Sequence, residues 1–289
     1  MFAFALVRAV HFAGLMALFG SCAFGWIAQT SLGRDLGLSR SLLVARASAA
    51  LAAAILLVGF VAGEMTGSST PFVPAASGQV LRATLYGHVA LLRMALLVSF
   101  LLVAWLFPAA RQVAGAVLGG IALALLGLTS HAAAAGAAPL TFFYAAIDAA
   151  HLLTAGFWVG GLLTLVAVVR RQPRDTEMHV ALLRLFSRWG AASVAILVAA
   201  GTMNGIEILY MPGMRWSATY LTLLAAKLVL AGLMIALALT NRFGVLPGLV
   251  RSDREAAETL PFTLFAELGS ALLILIIVGF LGLTAPMQM

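Results

Sequence analysis

The chain has 289 residues, of which 63% are hydrophobic and only 9% are charged, and its mean hydropathy is +1.08. Soluble domains are nearer half apolar and a quarter charged, so this composition excludes a water-soluble protein and indicates an integral membrane protein. The net charge of +7 does not predict nucleic-acid binding, because the basic residues fall between the apolar runs. The single cysteine, Cys22, excludes an intrachain disulfide and a thiolate zinc site.

Apolar stretches of about twenty residues, the length that a membrane-spanning helix needs, recur along the whole chain. The first is too long for the core of a cleaved signal and predicts a retained helix. Turn or charge signals separate the stretches. The predicted spans are 4–29, 41–63, 82–106, 112–132, 144–169, 186–209, 217–241 and 260–284. The predicted fold is therefore an all-α membrane bundle of eight helices.

The arginines predict the orientation of this bundle. Ten lie in or beside the connections that follow spans 1, 3, 5 and 7: Arg34, Arg40, Arg111, Arg170, Arg171, Arg174, Arg184, Arg242, Arg251 and Arg254. Only Arg8, Arg82 and Arg215 lie on the other side. Because positive residues are retained in the cytoplasm, both termini are expected outside it.

The two halves of the chain resemble each other at an offset of about 140 residues. His11 and Gly20 of span 1 correspond to His151 and Gly160 of span 5. In spans 2 and 6, three residues match in the same order: Arg46, Gly59 and Gly63 with Arg188, Gly201 and Gly205. The spacing from Tyr86 to Arg93 in span 3 equals that from Tyr220 to Lys227 in span 7. We predict two parallel four-helix repeats, 1–135 and 140–289. The adjacent Gly160 and Gly161 predict close helix packing.

Polar side chains inside the predicted membrane concentrate in its outer half. An intramembrane ionisable residue is a candidate functional group, and imidazole is a common ligand of transition metals. The predicted metal ligands are His11, His151, His88, Glu207 and Met203, with Asp148 and Asn204 as neighbours that orient them. Arg93 and Lys227 are expected to neutralise Glu207 or Glu267 or to hold an anion. His131 and His179 are interpreted as boundary and loop residues, and Cys22 is the inner-half candidate.

Methionines add a softer set of donors on the outer side. The candidates for metal capture are Met65, Met211, Met214, Met287 and Met289. Thioether sulfur suits Cu(I), and imidazole suits either oxidation state of copper, so the combination favours copper over zinc, nickel or iron.

Several motifs are similar to those of the CopD/PcoD family of copper-resistance membrane proteins. One runs from His151 through Trp158 to Gly161; another joins Phe186, Ser187 and Arg188 to Gly201–Gly205; a third extends from Tyr220 through Lys227 to Asn241 and Arg242. Leu221 departs from the pattern, in which glycine follows the tyrosine. The resemblance implies a copper-handling protein of the bacterial inner membrane, surrounded by lipid and working beside a periplasmic CopC-like copper protein. It does not imply a direction of transport.

Three functions remain open from the sequence. The first is a copper-binding protein that takes up or transports copper from the periplasmic side, without enzymatic activity. The second is a haem-binding b-type cytochrome or quinol oxidoreductase, in which His11 and His151 are axial ligands of haem. The third is a copper storage, sensing or assembly protein that uses the same site without transport.

Overall fold

A computed structural model describes residues 1–67, 73–129, 138–209, 215–284 and 287–288. Its helices are α1 (Phe2–Leu32), α2 (Arg40–Thr66), α3 (Pro74–Ala83), α4 (Leu85–Leu106), α5 (Arg111–Ala124), α6 (Ala138–Arg171), α7 (Thr176–Leu209), α8 (Ala218–Thr240), α9 (Leu246–Val250) and α10 (Arg254–Leu281). A 3₁₀ turn, Leu125–Thr129, extends α5, and a π turn, Asn241–Val245, joins α8 to α9. Within the described ranges, eight helical segments are long and apolar enough to span a membrane, which confirms the predicted all-α, eight-span fold.

Local sequence explains where several of these helices begin. The side chains of Ser39, Thr84, Ser217 and Asp253 each accept a hydrogen bond from a backbone N–H in the first turn of the following helix. Such caps satisfy donors that have no partner inside the helix. Pro74 opens α3, where its missing N–H costs nothing.

Some helix boundaries differ from the prediction because helices continue past the apolar runs. α7 begins at Thr176 and α10 at Arg254, rather than at 186 and 260. Their charged first turns were read as loop, although charged residues are compatible with a helix that projects beyond the hydrocarbon. The short helix α3 was not predicted as a separate element. It precedes α4 on the side opposite the arginine-bearing connections.

The two ends of the bundle differ in charge. The connections 33–39, 107–110, 172–175 and 251–253, together with the adjoining helix ends, define the arginine-rich end. The opposite end carries α3 and is called the histidine end, because His11 and His151 lie in the parts of α1 and α6 nearer to it. Both imidazoles lie about 20 residues from the arginine-rich end of their helix, a rise of roughly 30 Å.

α1 is the central helix, and its closest approach is to α6. It also packs against α2, α5 and α10. A Cβ atom on Gly20 would collide with the backbone of Gly156, and one on Gly160 would collide with the backbone of Gly20 and Ser21. Ser21 Oγ donates to the carbonyl oxygen of Gly160 at 2.9 Å. The absence of side chains on Gly20 and Gly160 therefore permits this crossing, as predicted for Gly160.

α8 lies at the edge of the bundle. Only 6% of its most apolar window is buried, against 61% for α6. α7 packs on α6, and α8 packs on α10. The main contacts that α7 makes on the α8 side are with the π turn and α9, which follow α8 in the chain. The described helices thus leave a cleft between α7 and α8, with α6 and α10 behind it.

A two-residue antiparallel pair joins the start of α8 to the end of the chain. Arg215 pairs with Gln288 and Trp216 pairs with Met287. This pairing brings the backbone of Met287 beside the segment that enters α8. Nothing in this small pair alters the all-α architecture.

Candidate metal site

His11 is fully buried, and both of its ring nitrogens have hydrogen-bond partners. Nδ1 lies 2.8 Å from the carbonyl oxygen of Ala50 on α2. Nε2 lies 3.2 Å from Nη1 of Arg93 on α4. Because a carbonyl only accepts and a guanidinium only donates, the ring is a neutral imidazole that donates from Nδ1 and accepts at Nε2. His11, predicted as a metal ligand, offers no free nitrogen in this arrangement.

Arg93 is almost completely buried beside His11. Tyr86, which is also on α4, interacts with the guanidinium of Arg93 as well. The Nε atom of Arg93 has no hydrogen-bond partner among the described residues. Arg93 was expected to neutralise a glutamate or an anion; in the structure its contacts are instead with His11 and Tyr86, so it links α1 to α4.

His151 is partly buried and leaves one ring nitrogen without a hydrogen bond. Nδ1 lies 3.3 Å from the carbonyl oxygen of Leu197 on α7. Within the described part of the chain, no hydrogen bond to Nε2 is found. The ring lies against Gly201, where a Cβ atom would be 3.4 Å from Cε1. A neutral ring that donates from Nδ1 presents the Nε2 lone pair as an acceptor or a metal ligand.

Asp148 and Asn204 form a hydrogen-bonded pair next to His151. Asn204 Nδ2 donates to Asp148 Oδ1 at 2.5 Å, which joins α7 to α6. The other amide atom, Oδ1 of Asn204, is buried and has no partner among the described residues. Asp148 was predicted to orient the imidazole of His151, but the carbonyl of Leu197 is the group that Nδ1 meets. Asp148 instead positions Asn204.

Lys227, the one lysine of the chain, faces this group from α8. Its ammonium interacts electrostatically with Asp148 and with His151. It was expected to neutralise Glu207 or Glu267 or to hold an anion; the side chain of Glu207 lies outside the described residues, and Asp148 is the described acid that interacts with Lys227. Asp148 and His151 of α6, Asn204 of α7 and Lys227 of α8 are here called the His151 cluster.

The His11 and His151 regions have the same plan of contacts. In each, a histidine on the first helix directs Nδ1 to a backbone carbonyl of the second helix, and a cation on the third spanning helix faces the ring. The matched glycines Gly20 and Gly160 meet at the crossing of α1 and α6. These contacts support the predicted duplication, whose boundaries at 1–135 and 140–289 remain a prediction. His11 contacts helices of the first half and His151 contacts a helix of the second half, so the two rings do not share a site.

The structure describes only some of the other predicted ligands. His88 is exposed on α4, and its Nε2 lies 3.0 Å from the carbonyl oxygen of Arg82. Met203 and Met65 have exposed side chains. His131, Met211, Met214 and Met289 lie outside the described residues, as do the side chains of Glu207 and Met287. Over the ranges that the structure describes, no group of three or more His, Cys, Asp or Glu residues could hold a metal ion.

The structure also places His179 and Cys22, both in buried positions. His179 was interpreted as a solvated loop residue, but it lies in the first turns of α7 with only 6% of its surface exposed. The helix begins ten residues earlier than the apolar pattern indicated, and this buries the ring. Cys22 is fully buried and packs against Gly115, where a Cβ atom would collide with its sulfur.

A second polar group lies nearer the arginine-rich end. Glu267 on α10 is 1% exposed, and its Oε2 accepts a hydrogen bond of 3.1 Å from Asn241 Nδ2. The Thr263 hydroxyl donates to Asn241 Oδ1 at 2.5 Å. Glu267 was not predicted from the sequence to belong to a site. The signal was present: Thr263 and Glu267 are four residues apart, on one face of the predicted apolar span of α10.

Comparisons with known proteins point to one family. Residues 1–140 match the family described as copper resistance protein D-like, N-terminal domain, and residues 180–281 match the family described as copper resistance protein D. The chain is 33% identical to copper resistance protein D of Pseudomonas syringae pv. tomato, over 97% of this chain and 96% of that protein. It is 27% identical to inner membrane protein YebZ of Escherichia coli K12, over 99% of each chain. No solved structure matches. The segment with His151 and Trp158 lies between the two family matches but inside both full-length similarities.

Proposed function

Because the chain belongs to the copper resistance protein D family, we propose that it binds copper in the His151 cluster and carries the ion into or across the membrane from the periplasmic side. The described residues include eight helices that are long and apolar enough to span a membrane, and a relative of the chain is an inner membrane protein. The orientation that puts the histidine end in the periplasm rests on the ten-to-three distribution of arginines.

The observation that carries the proposal is that no described residue makes a hydrogen bond to Nε2 of His151. Asn204 Oδ1, which belongs to the same cluster, is also buried without a partner among the described residues. Imidazole nitrogen and amide or carboxylate oxygen atoms bind Cu(II), and a methionine sulfur adds affinity for Cu(I). Glu207 follows Asn204 by one turn of α7, and Met203 precedes it. We propose that these residues complete the ligand set when the ion arrives.

The ammonium group of Lys227 is a positive charge of the protein itself at the proposed site. Its ammonium interacts electrostatically with Asp148 and His151, so a copper ion bound at His151 meets this positive charge. Like charges repel most strongly where the surrounding medium has low polarity. We therefore propose that copper entry displaces the Lys227 side chain, and that its return favours release of the ion.

His11 has a structural role in this proposal. With Nδ1 and Nε2 both hydrogen-bonded, it orders α1 against α2 and α4 and does not take part in metal binding. The same contacts disfavour a haem held between His11 and His151, because an axial ligand needs a free nitrogen on each ring. The absence of enzymatic activity stays a prediction.

Copper stoichiometry and affinity of purified variants test the assignment. His151→Ala removes the proposed imidazole ligand, so its copper affinity should fall by more than the ~10–100-fold typical of residues that only orient ligands. Asn204→Ala removes a proposed oxygen ligand and should also lower the copper affinity, by less than His151→Ala does. His179→Ala, seven turns of α7 from Asn204, is the matched control and should bind as the wild type does. Wild-type affinity in His151→Ala would exclude the proposed site.

Flux measurements separate transport from storage. Wild-type protein in proteoliposomes should accumulate copper in the lumen, and His151→Ala should not. Copper binding without any flux in the wild type would favour the storage, sensing or assembly function over transport.

A further inference from the structure

A cavity of about 220 Å³ lies in the second half of the bundle, between the His151 cluster and the arginine-rich end. Side chains of α6, α7, α8 and α10 and of the π turn line it. Its walls are mainly aliphatic, with Leu183, Val194, Ile235 and Leu264 among them. Trp158 is seven residues from His151 on α6, which places the cavity roughly 10 Å along that helix from the imidazole. It is thus separate from the proposed copper ligands.

One end of the cavity is polar and rigidly built. Thr263 fixes the amide of Asn241, whose Nδ2 then holds Oε2 of Glu267. Oε1 of the same carboxylate is buried, and none of the described residues makes a hydrogen bond to it. Trp158 lies beside the carboxyl group without completing a hydrogen bond to Oε1. An unsatisfied buried oxygen costs about 1–3 kcal/mol, or more when it is charged, so a bound donor here is strongly favoured.

The π turn supports the same end of the cavity. It begins at Asn241, and Arg242 Nη1 donates to the carbonyl oxygen of Ser187 at 3.1 Å, which ties the turn to α7. Single π turns in α-helices are frequent at functional sites. Here the turn presents Asn241 to Glu267 and closes the cavity toward the arginine-rich end.

The cavity opens sideways, through the cleft between α7 and α8. Ala191 of α7 and Leu239 of α8 both line the cavity and are exposed, so they mark its mouth. Both helices are apolar membrane spans, and the outer surface of α8 is almost entirely unburied by protein. A molecule dissolved in the bilayer therefore reaches Glu267 without crossing water.

We propose that this cavity binds a lipid-soluble hydroxylated ring compound of the quinol class. Its hydroxyl donates to Oε1 of Glu267, its ring lies among the aliphatic walls beside Trp158, and its hydrocarbon tail leaves between α7 and α8. A phospholipid fits Glu267 less well, because its phosphate has no hydroxyl to donate to Oε1, although its charge would be attracted to Arg242 at the edge of the cavity. A metal ion fits less well, because Glu267 is the only acid, and no histidine, cysteine or methionine lines the described cavity. The proposal concerns binding alone and does not depend on copper binding at His151.

Direct titration tests the cavity. The full chain is placed in nanodiscs of quinone-free phosphatidylcholine and titrated without oxygen with a short-tailed ubiquinol; bound ubiquinol is extracted and quantified. We expect about one ubiquinol per chain in the wild type. Glu267→Gln keeps the shape of the side chain, but the new amide oxygen must stay where Asn241 Nδ2 donates, so an NH2 group, which cannot accept, replaces Oε1. Binding should weaken about 10-fold or more. Ala191→Trp, which fills the mouth, should abolish binding.

Controls distinguish loss of the site from loss of the fold. Glu258→Gln alters an exposed acid on the same helix, paired with Arg254, and should bind ubiquinol as the wild type does. Monodispersity and copper stoichiometry should be unchanged in all three variants, whichever way the copper proposal is decided. Absence of ubiquinol binding in the wild type, or undiminished binding in both Glu267→Gln and Ala191→Trp, overturns the proposal.

Discussion

Replacing His11 by alanine should destabilise the protein without removing the copper site. The change deletes the bond from Nδ1 to Ala50, worth about 1 kcal/mol because that carbonyl keeps its helical partner. It also leaves Nη1 of Arg93 without its imidazole acceptor, which for a buried charged group costs about 1.5–3 kcal/mol. The lost ring leaves a cavity in a fully buried position, and this costs about 1 kcal/mol more. The expected total loss is about 4 kcal/mol.

His151→Ala provides the matched comparison. Its imidazole is only partly buried and makes one longer bond, of 3.3 Å, so its loss should cost about 1 kcal/mol. His11→Gln should recover about half of the loss at His11, since an amide both donates and accepts. The free energy of unfolding is measured by titration with SDS in mixed micelles, followed by circular dichroism, alongside copper affinity.

The two readouts should separate the two histidines. His11→Ala should be the less stable variant and retain copper affinity, while His151→Ala should be the more stable one and lose it. Equal destabilisation by both changes, or a His11→Ala variant within 1 kcal/mol of the wild type, would refute the inference that Arg93 and Ala50 hold His11. A copper defect confined to His11→Ala would reverse the functional assignment.

Two further predictions concern packing and orientation. Gly160→Ala should destabilise the protein by about 1–3 kcal/mol, because the new Cβ meets the backbone of Gly20 and Ser21, whereas Gly232→Ala, with nothing within 4 Å, should be neutral or stabilising in the same SDS titration. Cysteine labelling at the C-terminus, in a Cys22→Ala background, should show modification by an impermeant reagent from the periplasm; protection there would contradict the positive-inside assignment.

The number of spans was predictable because hydropathy is a local property. Twenty apolar residues form a spanning helix wherever they occur, and so the eight segments were found from the sequence with errors confined to their ends. Those errors have one cause. Charged first turns, such as those before Phe186 and Leu260, continue a helix outside the hydrocarbon and carry no apolar signal.

The sequence also predicted which residues are chemically unusual. His11, His151, Asp148, Asn204 and Lys227 were all identified as polar groups inside the membrane, and the motifs indicated the family that the comparisons confirm. The similar positions of His11 along α1 and of His151 along α6 follow from residue spacing alone. The sequence did not show which way each side chain points around its helix relative to its neighbours.

Tertiary packing decided what each of these residues can do. His11 and His151 look equivalent in the sequence, yet Arg93 donates to Nε2 of one ring, while no described residue makes a hydrogen bond to Nε2 of the other. Likewise, Glu267 becomes the polar end of a cavity only because α7 and α8 stand apart and the π turn delivers Asn241. Hydropathy and motif spacing are properties of one segment, whereas a free nitrogen or a cavity depends on how several helices pack together.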